Sequence, residues 1–322
     1  MPEEIAPNWF RMRIPLPDTP LKELNSYLIT GNERNLLIDT GLNRPECLEA
    51  MQGELRELKV DLSKTDLFIT HLHVDHLGLA SRLTETGSRV YLNRFDADIV
   101  SNWAGFDPML KYAQVCGFPA EQLRTALDRH PGFKFRSEQV PEMTPLTEDA
   151  VLTCAGYHLH CLHTPGHTPG HLCLYEPGRK VLVSGDHILG DITPNIQCWS
   201  NEQNPLKDYL ASLDKLAGFE VELVLPGHRE LLRDIRTRIR QLQKHHAQRL
   251  DEVLDCLTRN EATPYQVAAA MTWDLDCDSW DDFPVTQQWF ATGEAVAHLR
   301  FLEERGLVQR IEKDNLFFFS LA

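Results

Sequence analysis

The sequence HLHVDH, residues 71–76, follows directly on TDLFIT, residues 65–70, whose apolar and β-branched side chains predict a buried strand. In an extended segment alternate side chains point to the same side, so His71, His73 and Asp75 can converge on one point. The last histidine follows where the backbone turns and can face a second point nearby. Imidazole nitrogens and a carboxylate at this density form a donor set suited to zinc, and manganese or iron also fit it. The segment predicts a metal site at the end of a strand.

A second group of histidines lies in HTPGHTPGH, residues 163–171. Histidines four residues apart would share a helix face, but the two Pro-Gly pairs exclude a helix, so the segment is expected to be a loop between strands. Such a loop does not have to direct all three histidines at one site. A hydrogen-bonded structural imidazole stays an alternative for His163 and His171.

Other polar residues stand where strand-like runs end. Asp186 ends KVLVSGD, residues 180–186, and His228 follows VELVLPG, residues 221–227. Asp39 lies in LLIDTG. Polar side chains at strand ends often form sites, although Asp186 and His228, each taken alone, are more typical of turns than of ligands.

Together these segments resemble the motif series of the metallo-beta-lactamase superfamily: HxHxDH, a later histidine, a bridging aspartate and a final histidine. The resemblance covers about residues 20–232, and the motifs occur in the family's order. It implies an α+β fold, an αββα sandwich, with a two-metal site in the cleft at the sheet edges. The family's ligand in the second segment, as in glyoxalase II, is the first histidine after TPG. The resemblance therefore assigns His71, His73 and His167 to the first metal and Asp75, His76 and His228 to the second, with Asp186 bridging them.

The chemistry implied by this resemblance is hydrolysis through a metal-bound hydroxide. Two divalent ions, zinc first and manganese or iron as alternatives, lower the pKa of a bridging water toward about 7. Asp75 is the expected catalytic residue, because it can orient the hydroxide and receive its proton. Asp39 is either a partner of the metal ligands or a plain turn residue.

The length of 322 residues predicts about two domains, at about 150 residues each. We expect a catalytic domain over residues 1–235 with a helical insert at residues 95–133 near the active site. The polar, amphipathic pattern of residues 235–258 predicts a long helix that packs on the catalytic domain or on a second subunit, a homodimer being one alternative. Residues 236–322 contain TGEAVAHLRFLEERGLVQR followed by a β-rich end, which looks like a winged helix. That layout is similar to the branch of the superfamily that includes beta-lactamase-like protein 2.

Composition narrows the function classes further. The formal charge of −15 disfavours binding to nucleic acid or to anionic membranes. The acidic start of the chain is not expected to act as a signal peptide, and no stretch reaches the ~18 apolar residues that span a bilayer. The eight cysteines contain no Cys-x-x-Cys pair, as expected for free thiols in a reducing compartment. The sequence therefore predicts a cytoplasmic protein without membrane or nucleic-acid partners.

Two functions stay open at this point. The first is hydrolysis of a small acyl ester, thioester or lactone. In that case Trp103, Phe106 and Met109 of the insert would cover the substrate pocket; the alternative for the insert is a helical pair packed only for stability. The second is a metal-dependent nuclease or phosphodiesterase that docks nucleic acid on the winged helix. Residues 236–322 carry ten Lys and Arg against fourteen Asp and Glu, and this net charge of −4 favours the acyl hydrolase.

Overall fold

The computed structural model describes residues 1–137, 139–274, 277 and 279–322. The strands that precede residue 150 are β1 (Glu3–Ala6), β2 (Trp9–Leu16), β3 (Lys22–Ile29), β4 (Asn35–Ile38), β5 (Thr65–Phe68), β6 (Val90–Asn93) and β7 (Met143–Leu146). Within the described ranges they form one sheet in chain order. The strands from β1 to β4 pair antiparallel, and those from β4 to β7 pair parallel. The antiparallel β3–β4 pair is a hairpin whose loop contains Gly31 and Asn32.

A second sheet contains the strands β8 (Val151–Cys154), β9 (Tyr157–His163), β10 (Leu172–Glu176), β11 (Val181–Gly185) and β12 (Leu223–Pro226). Its order is β12-β11-β10-β9-β8, and only its β11–β12 pair is parallel. Buried side chains of both sheets share one core cluster, with Trp9, Tyr27 and Phe68 from the first sheet against Leu174 and Val183 from the second. The two sheets therefore pack face to face, as the sequence predicts.

Helices cover the outer face of the first sheet. They are α1 (Pro45–Glu57), α2 (Val74–Leu77), α3 (Ala80–Leu83) and α4 (Arg94–Ser101). The first begins with a proline, whose missing N–H costs nothing at that position. Its buried residues Cys47, Met51 and Leu55 recur at helical spacing and pack against Met12 and Leu28 of the sheet. This contact joins helix to sheet through one apolar stripe.

Parallel pairing directs several chain segments to one edge of the sandwich. Since β4 and β5 run parallel, Asp39 and Thr70 follow their carboxyl ends side by side. Asp186 and His228 likewise follow the carboxyl ends of β11 and β12. The amide of Leu172 donates to the carbonyl of Thr70 at 2.9 Å, which ties the two sheets together at this edge.

The remaining elements are α5 (Asp107–Val115), α6 (Ala120–Arg129), α7 (Pro131–Lys134), α8 (Pro205–Ala217), α9 (Ile235–Cys256), α10 (Pro264–Ala270), α11 (Val285–Glu304), β13 (Val308–Lys313) and β14 (Leu316–Leu321). The strands β13 and β14 pair antiparallel and form the β-rich end of the chain. Residues 293–305 carry a helical pattern in the sequence, but the last helix begins earlier, at Val285. Gly293 lies in the middle of this helix, where glycine is unfavourable for helix formation. A Cβ at this position would lie 2.8 Å from the Trp199 ring, so glycine permits the ring to approach the helix closely.

The described residues divide into two compact units. The first comprises Met1–Trp103, Phe135–Pro194 and Asp214–Ile239, and the second comprises Ala104–Lys134, Asn195–Leu213 and Arg240–Ala322. The helices α5 and α6 of the predicted insert thus belong to the same unit as the C-terminal helices. The domain boundary at residue 235, the winged-helix interpretation and the position of the insert near the active site stay predictions.

No helix in the described part of the chain has both the length and the apolar character that a membrane crossing requires.

Candidate metal centre

Nitrogen atoms of His71, His73 and His167 converge in the first unit. Nδ1 of His73 lies 3.0 Å from Nε2 of His71 and 3.0 Å from Nε2 of His167. The first two residues follow β5, and the third lies in the loop between β9 and β10. The ring nitrogens of the three imidazoles thus face a common position, as those of zinc ligands do. We call these three residues the three-histidine group.

Asp75, His76 and His228 form a second convergent set, called the mixed group. Each residue offers one ligand atom, and those atoms all lie within 4.8 Å of one another. Oδ2 of Asp75 lies 3.4 Å from Nε2 of His228. The short helix α2 presents Asp75 and His76, while the histidine after β12 approaches from the second sheet.

Asp186 lies between the two groups. Its Oδ1 is 3.5 Å from Nε2 of His76, and its Oδ2 is 3.5 Å from Nε2 of His228. The same Oδ2 is 3.8 Å from Nε2 of His167 in the three-histidine group. One carboxylate therefore faces both groups.

The charge states of His71, His73 and Asp186 suit the binding of cations. Burial, reinforced by the neighbouring imidazoles, lowers the pKa of His71 well below its ordinary value and that of His73 to about 3. Both rings therefore keep free lone pairs, which metal binding requires. Burial opposes the charge on Asp186, but the nearby His228 and His76 outweigh it and hold the pKa of Asp186 well below its ordinary value.

Buried atoms of the site lack hydrogen-bond partners in the residues that the structure describes. These atoms are Nε2 of His76, Oδ1 of Asp186 and Nε2 of His228. Unpaired polar atoms are costly to bury. The convergence of these three atoms therefore indicates a bound ligand that contacts all of them. The backbone at Gly227 leaves room for them, because a Cβ there would lie 2.5 Å from Oδ1 of Asp186. The residues present fit a pair of divalent cations.

The outward-facing atoms of the histidines are held by other groups. Nδ1 of His76 lies 2.8 Å from Oδ2 of Asp39, and Nδ1 of His228 donates to the carbonyl of Glu23 at 2.8 Å. Such partners fix the ring orientation and leave Nε2 free for a metal. Asp39, which the sequence alone left as either a turn residue or a partner of the ligands, thus contacts the site directly.

The loop of residues 163–171 directs one of its three histidines into the site. Nε2 of His163 donates to the carbonyl of Pro169 at 2.9 Å. His171 places Nδ1 2.9 Å from Oγ1 of Thr164 and accepts the Asp186 amide on Nε2 at 3.2 Å. Both are hydrogen-bonded structural imidazoles, which leaves His167 as the loop's contribution to the three-histidine group.

The sequence did not single out Asp96, a fully buried carboxylate in α4. It accepts hydrogen bonds from the amides of Leu72 and Gly170 and from Oγ1 of Thr168. Burial raises its pKa to about 6, and these three hydrogen bonds oppose that shift. Two of its partners are backbone amides distant in sequence, so no local pattern identifies it.

Comparisons with known proteins agree with this geometry. The chain is 29% identical over 218 residues to the human acyl-coenzyme A thioesterase MBLAC2, a match that covers 63% of this chain and 72% of that protein. It is 26% identical over 241 residues to the beta-lactamase-like protein 2 homolog of Drosophila melanogaster, covering 73% of this chain and 68% of that one.

A solved structure matches along nearly the whole chain. It is a metallo-beta-lactamase family protein from Thermus thermophilus, with a TM-score of 0.83 at 28% identity, covering 99% of this chain and all of that one. This likeness confirms the predicted fold class. The sequence model of the metallo-beta-lactamase superfamily matches residues 22–228 of this chain. That span contains every residue of both ligand groups. The chain therefore belongs to the metallo-beta-lactamase superfamily and is a hydrolase of that fold.

Proposed function

We propose that this chain is a two-metal hydrolase of a small acyl ester, thioester or lactone. The observation that carries the proposal is the position of Asp186, whose two oxygens face the three-histidine group and the mixed group at once. A single tetrahedral zinc ion uses four ligands, whereas seven ligand residues converge here. Two zinc ions are the proposed cofactors.

The side chains of the site have different roles in the proposed reaction. The three-histidine group and the mixed group would each hold one cation, with Asp186 shared between them. When bound, the cations supply Lewis acidity that polarises a carbonyl oxygen and brings the pKa of a water to about 7. The Asp75 side chain is 18% exposed and that of Asp186 is 9% exposed. We therefore assign Asp75 to orienting the attacking water and accepting its proton, because it has more access to solvent.

Charge and homology support an acyl substrate. The chain carries −15, which repels a polyanionic phosphate backbone. The human relative is named an acyl-coenzyme A thioesterase, so thioester hydrolysis is the first reaction to test. A hydroxide attack on a carbonyl needs no serine or cysteine nucleophile.

The nuclease alternative would use α11 as a docking helix. That helix is buried along most of its length within the second unit, with Ala295 and Leu299 in one apolar cluster and Trp289 in another. A helix that reads a nucleic-acid groove must present an exposed, basic face. The burial of α11 supports the acyl hydrolase over the nuclease.

The first expected result is a metal content of two ions per chain. Elemental analysis of dialysed, zinc-loaded protein should give two zinc ions, and Asp186→Asn should reduce this number because the shared negative charge is lost. Asp66→Asn is a matched control, since Asp66 is also buried but pairs with Arg34. A wild-type protein that holds no more than one ion would contradict the two-metal site.

The second expected result concerns substrate choice. Zinc- and manganese-loaded protein should be assayed with acyl-coenzyme A thioesters, lactones, aryl esters, a nitrocefin-type lactam and a phosphodiester. We expect at least one acyl substrate to be turned over faster than the phosphodiester. Phosphodiester turnover far above every acyl substrate would overturn the acyl-hydrolase proposal and favour the nuclease.

A further inference from the structure

Asp96 occupies the first turn of α4, inside the first unit. The side chain of Asn93 caps this helix by accepting the amide of Phe95 at 2.9 Å. A carboxylate in the first helical turn is favoured by the helix dipole. Asp96 is nevertheless fully buried, and a charged group is rarely buried without strong partners.

Three donors surround the Asp96 carboxylate. Oδ2 accepts the amide of Leu72 at 2.9 Å and the hydroxyl of Thr168 at 2.8 Å, and Oδ1 accepts the amide of Gly170 at 2.7 Å. Hydrogen bonds to a charged acceptor are stronger than those between neutral groups. The helix α4 is thereby attached to two loops that are distant in sequence.

Those two loops carry the whole three-histidine group. Leu72 stands between His71 and His73, and Thr168 follows His167 directly. The mixed group has other supports, because its histidines are held by Asp39 and by the carbonyl of Glu23. The hydrogen bonds of Asp96 therefore go to two amides and a hydroxyl beside the three-histidine group, whereas Asp39 and the Glu23 carbonyl support the mixed group.

The fit around Asp96 is close. A Cβ at Gly170 would lie 2.6 Å from both the amide nitrogen and Oδ1 of Asp96, so only glycine lets this loop approach the helix. The glycine in the second half of HTPGHTPGH thus has a structural reason. It brings the loop of His167 within reach of the carboxylate.

We propose that Asp96 is a positioning residue that holds the two loops of the three-histidine group in register, and so determines the affinity of that group for its metal ion. The inference rests on the proposed two-metal function, since it requires an ion at the three-histidine group. Asp96 acts through the backbone of Leu72 and Gly170, without contacting the ion or the substrate.

The test measures zinc affinity of the whole chain by competition with a chromophoric chelator, with activity recorded separately. Asp96→Asn is nearly isosteric but offers one acceptor oxygen in place of two, so at least one donor would face its NH2 group. We expect affinity for one of the two zinc ions to fall about 10-fold, as for other residues that support metal ligands, while the other ion binds as in the wild type.

A double-mutant cycle locates the effect. In a His228→Ala background, which disables the mixed group, Asp96→Asn should still weaken the remaining ion about 10-fold. In a His167→Ala background, which disables the three-histidine group, the same change should leave the remaining ion unaffected. Equal losses in the two backgrounds, or none in either, would overturn the proposal.

Thr168 offers a milder variant that keeps the test decisive if Asp96→Asn does not fold. Thr168→Val removes one hydrogen bond to Asp96 at nearly constant volume, and Thr168→Ser retains it. Weaker zinc binding by the valine variant than by the serine variant supports the positioning role, and equal binding contradicts it. If the wild type binds two ions and all these variants bind zinc as well as the wild type does, only this inference is overturned. If the wild type binds fewer than two ions, the proposed function itself is overturned.

Discussion

Replacing Asp75 by alanine is expected to reduce the turnover of every hydrolysable substrate by about 10²–10⁴-fold, the range typical of a lost acid–base group. The carboxylate has two roles in the proposed site: it is a ligand of the mixed group, and it orients the attacking water. Burial by itself disfavours its charge, but His228, whose Nε2 lies 3.4 Å from Oδ2 of Asp75, and the nearby His76 hold the pKa of Asp75 below its ordinary value. It is therefore ionised throughout the neutral range.

Steady-state kinetics and zinc content should be measured together on Asp75→Ala and on Asp75→Asn. The asparagine variant keeps the size of the side chain and removes its charge, so it separates packing from chemistry. Glu222→Ala, which removes an exposed carboxylate near Lys180, is the control and should retain full activity. Wild-type turnover by either Asp75 variant would exclude Asp75 as the catalytic residue.

The second large effect is expected from Gly227→Ala. The new methyl carbon would lie 2.5 Å from Oδ1 of Asp186 and 2.8 Å from Cε1 of His76, which is well inside van der Waals contact. The backbone cannot retreat easily, because the amide of Gly227 donates to the carbonyl of Gly185 at 2.8 Å and its carbonyl accepts the amide of Asn25 at 2.7 Å. The ligands must therefore move.

We expect Gly227→Ala to bind less zinc and to lose about 10²-fold in turnover, since a misplacement near 1 Å has effects of that size. Overpacking should also cost about 1–3 kcal/mol of folding free energy. The matched control is Gly53→Ala in α1, where the nearest neighbouring atom lies 4.0 Å away and alanine is expected to stabilise the helix by up to about 1 kcal/mol. A Gly227→Ala protein with full zinc content and activity would contradict the geometry of the site.

Much of the fold follows from local patterns in the chain. Residues 45–57 carry apolar side chains at helical spacing, which predicts a helix there, and α1 begins at Pro45 and ends at Glu57. Several strand-like runs between residues 150 and 186 come before the next helical segment, a pattern that favours two sheets with covering helices. Strands at the sheet edge were not recognised: β7 contains Pro145, which a central strand would not tolerate but an edge strand accepts.

The sequence by itself determined the kind of site. The segment HLHVDH after a buried strand places ligands at a strand end, because side chains alternate in an extended chain and the residue types are those that bind zinc. The choice among the histidines of residues 163–171 rested on resemblance to the family, since a loop has no periodicity from which side-chain direction can be derived.

Only the tertiary structure decided which side chains work together. His163 and His171 are engaged with Pro169 and Thr164, and His167 alone of the loop's three histidines faces His73. The contact with His76 decided between the two alternatives for Asp39, and the supporting role of Asp96 became recognisable only from its contacts. Hydrogen bonds between segments distant in sequence depend on how the sheets pack. No local pattern of residues determines which of these segments come into contact.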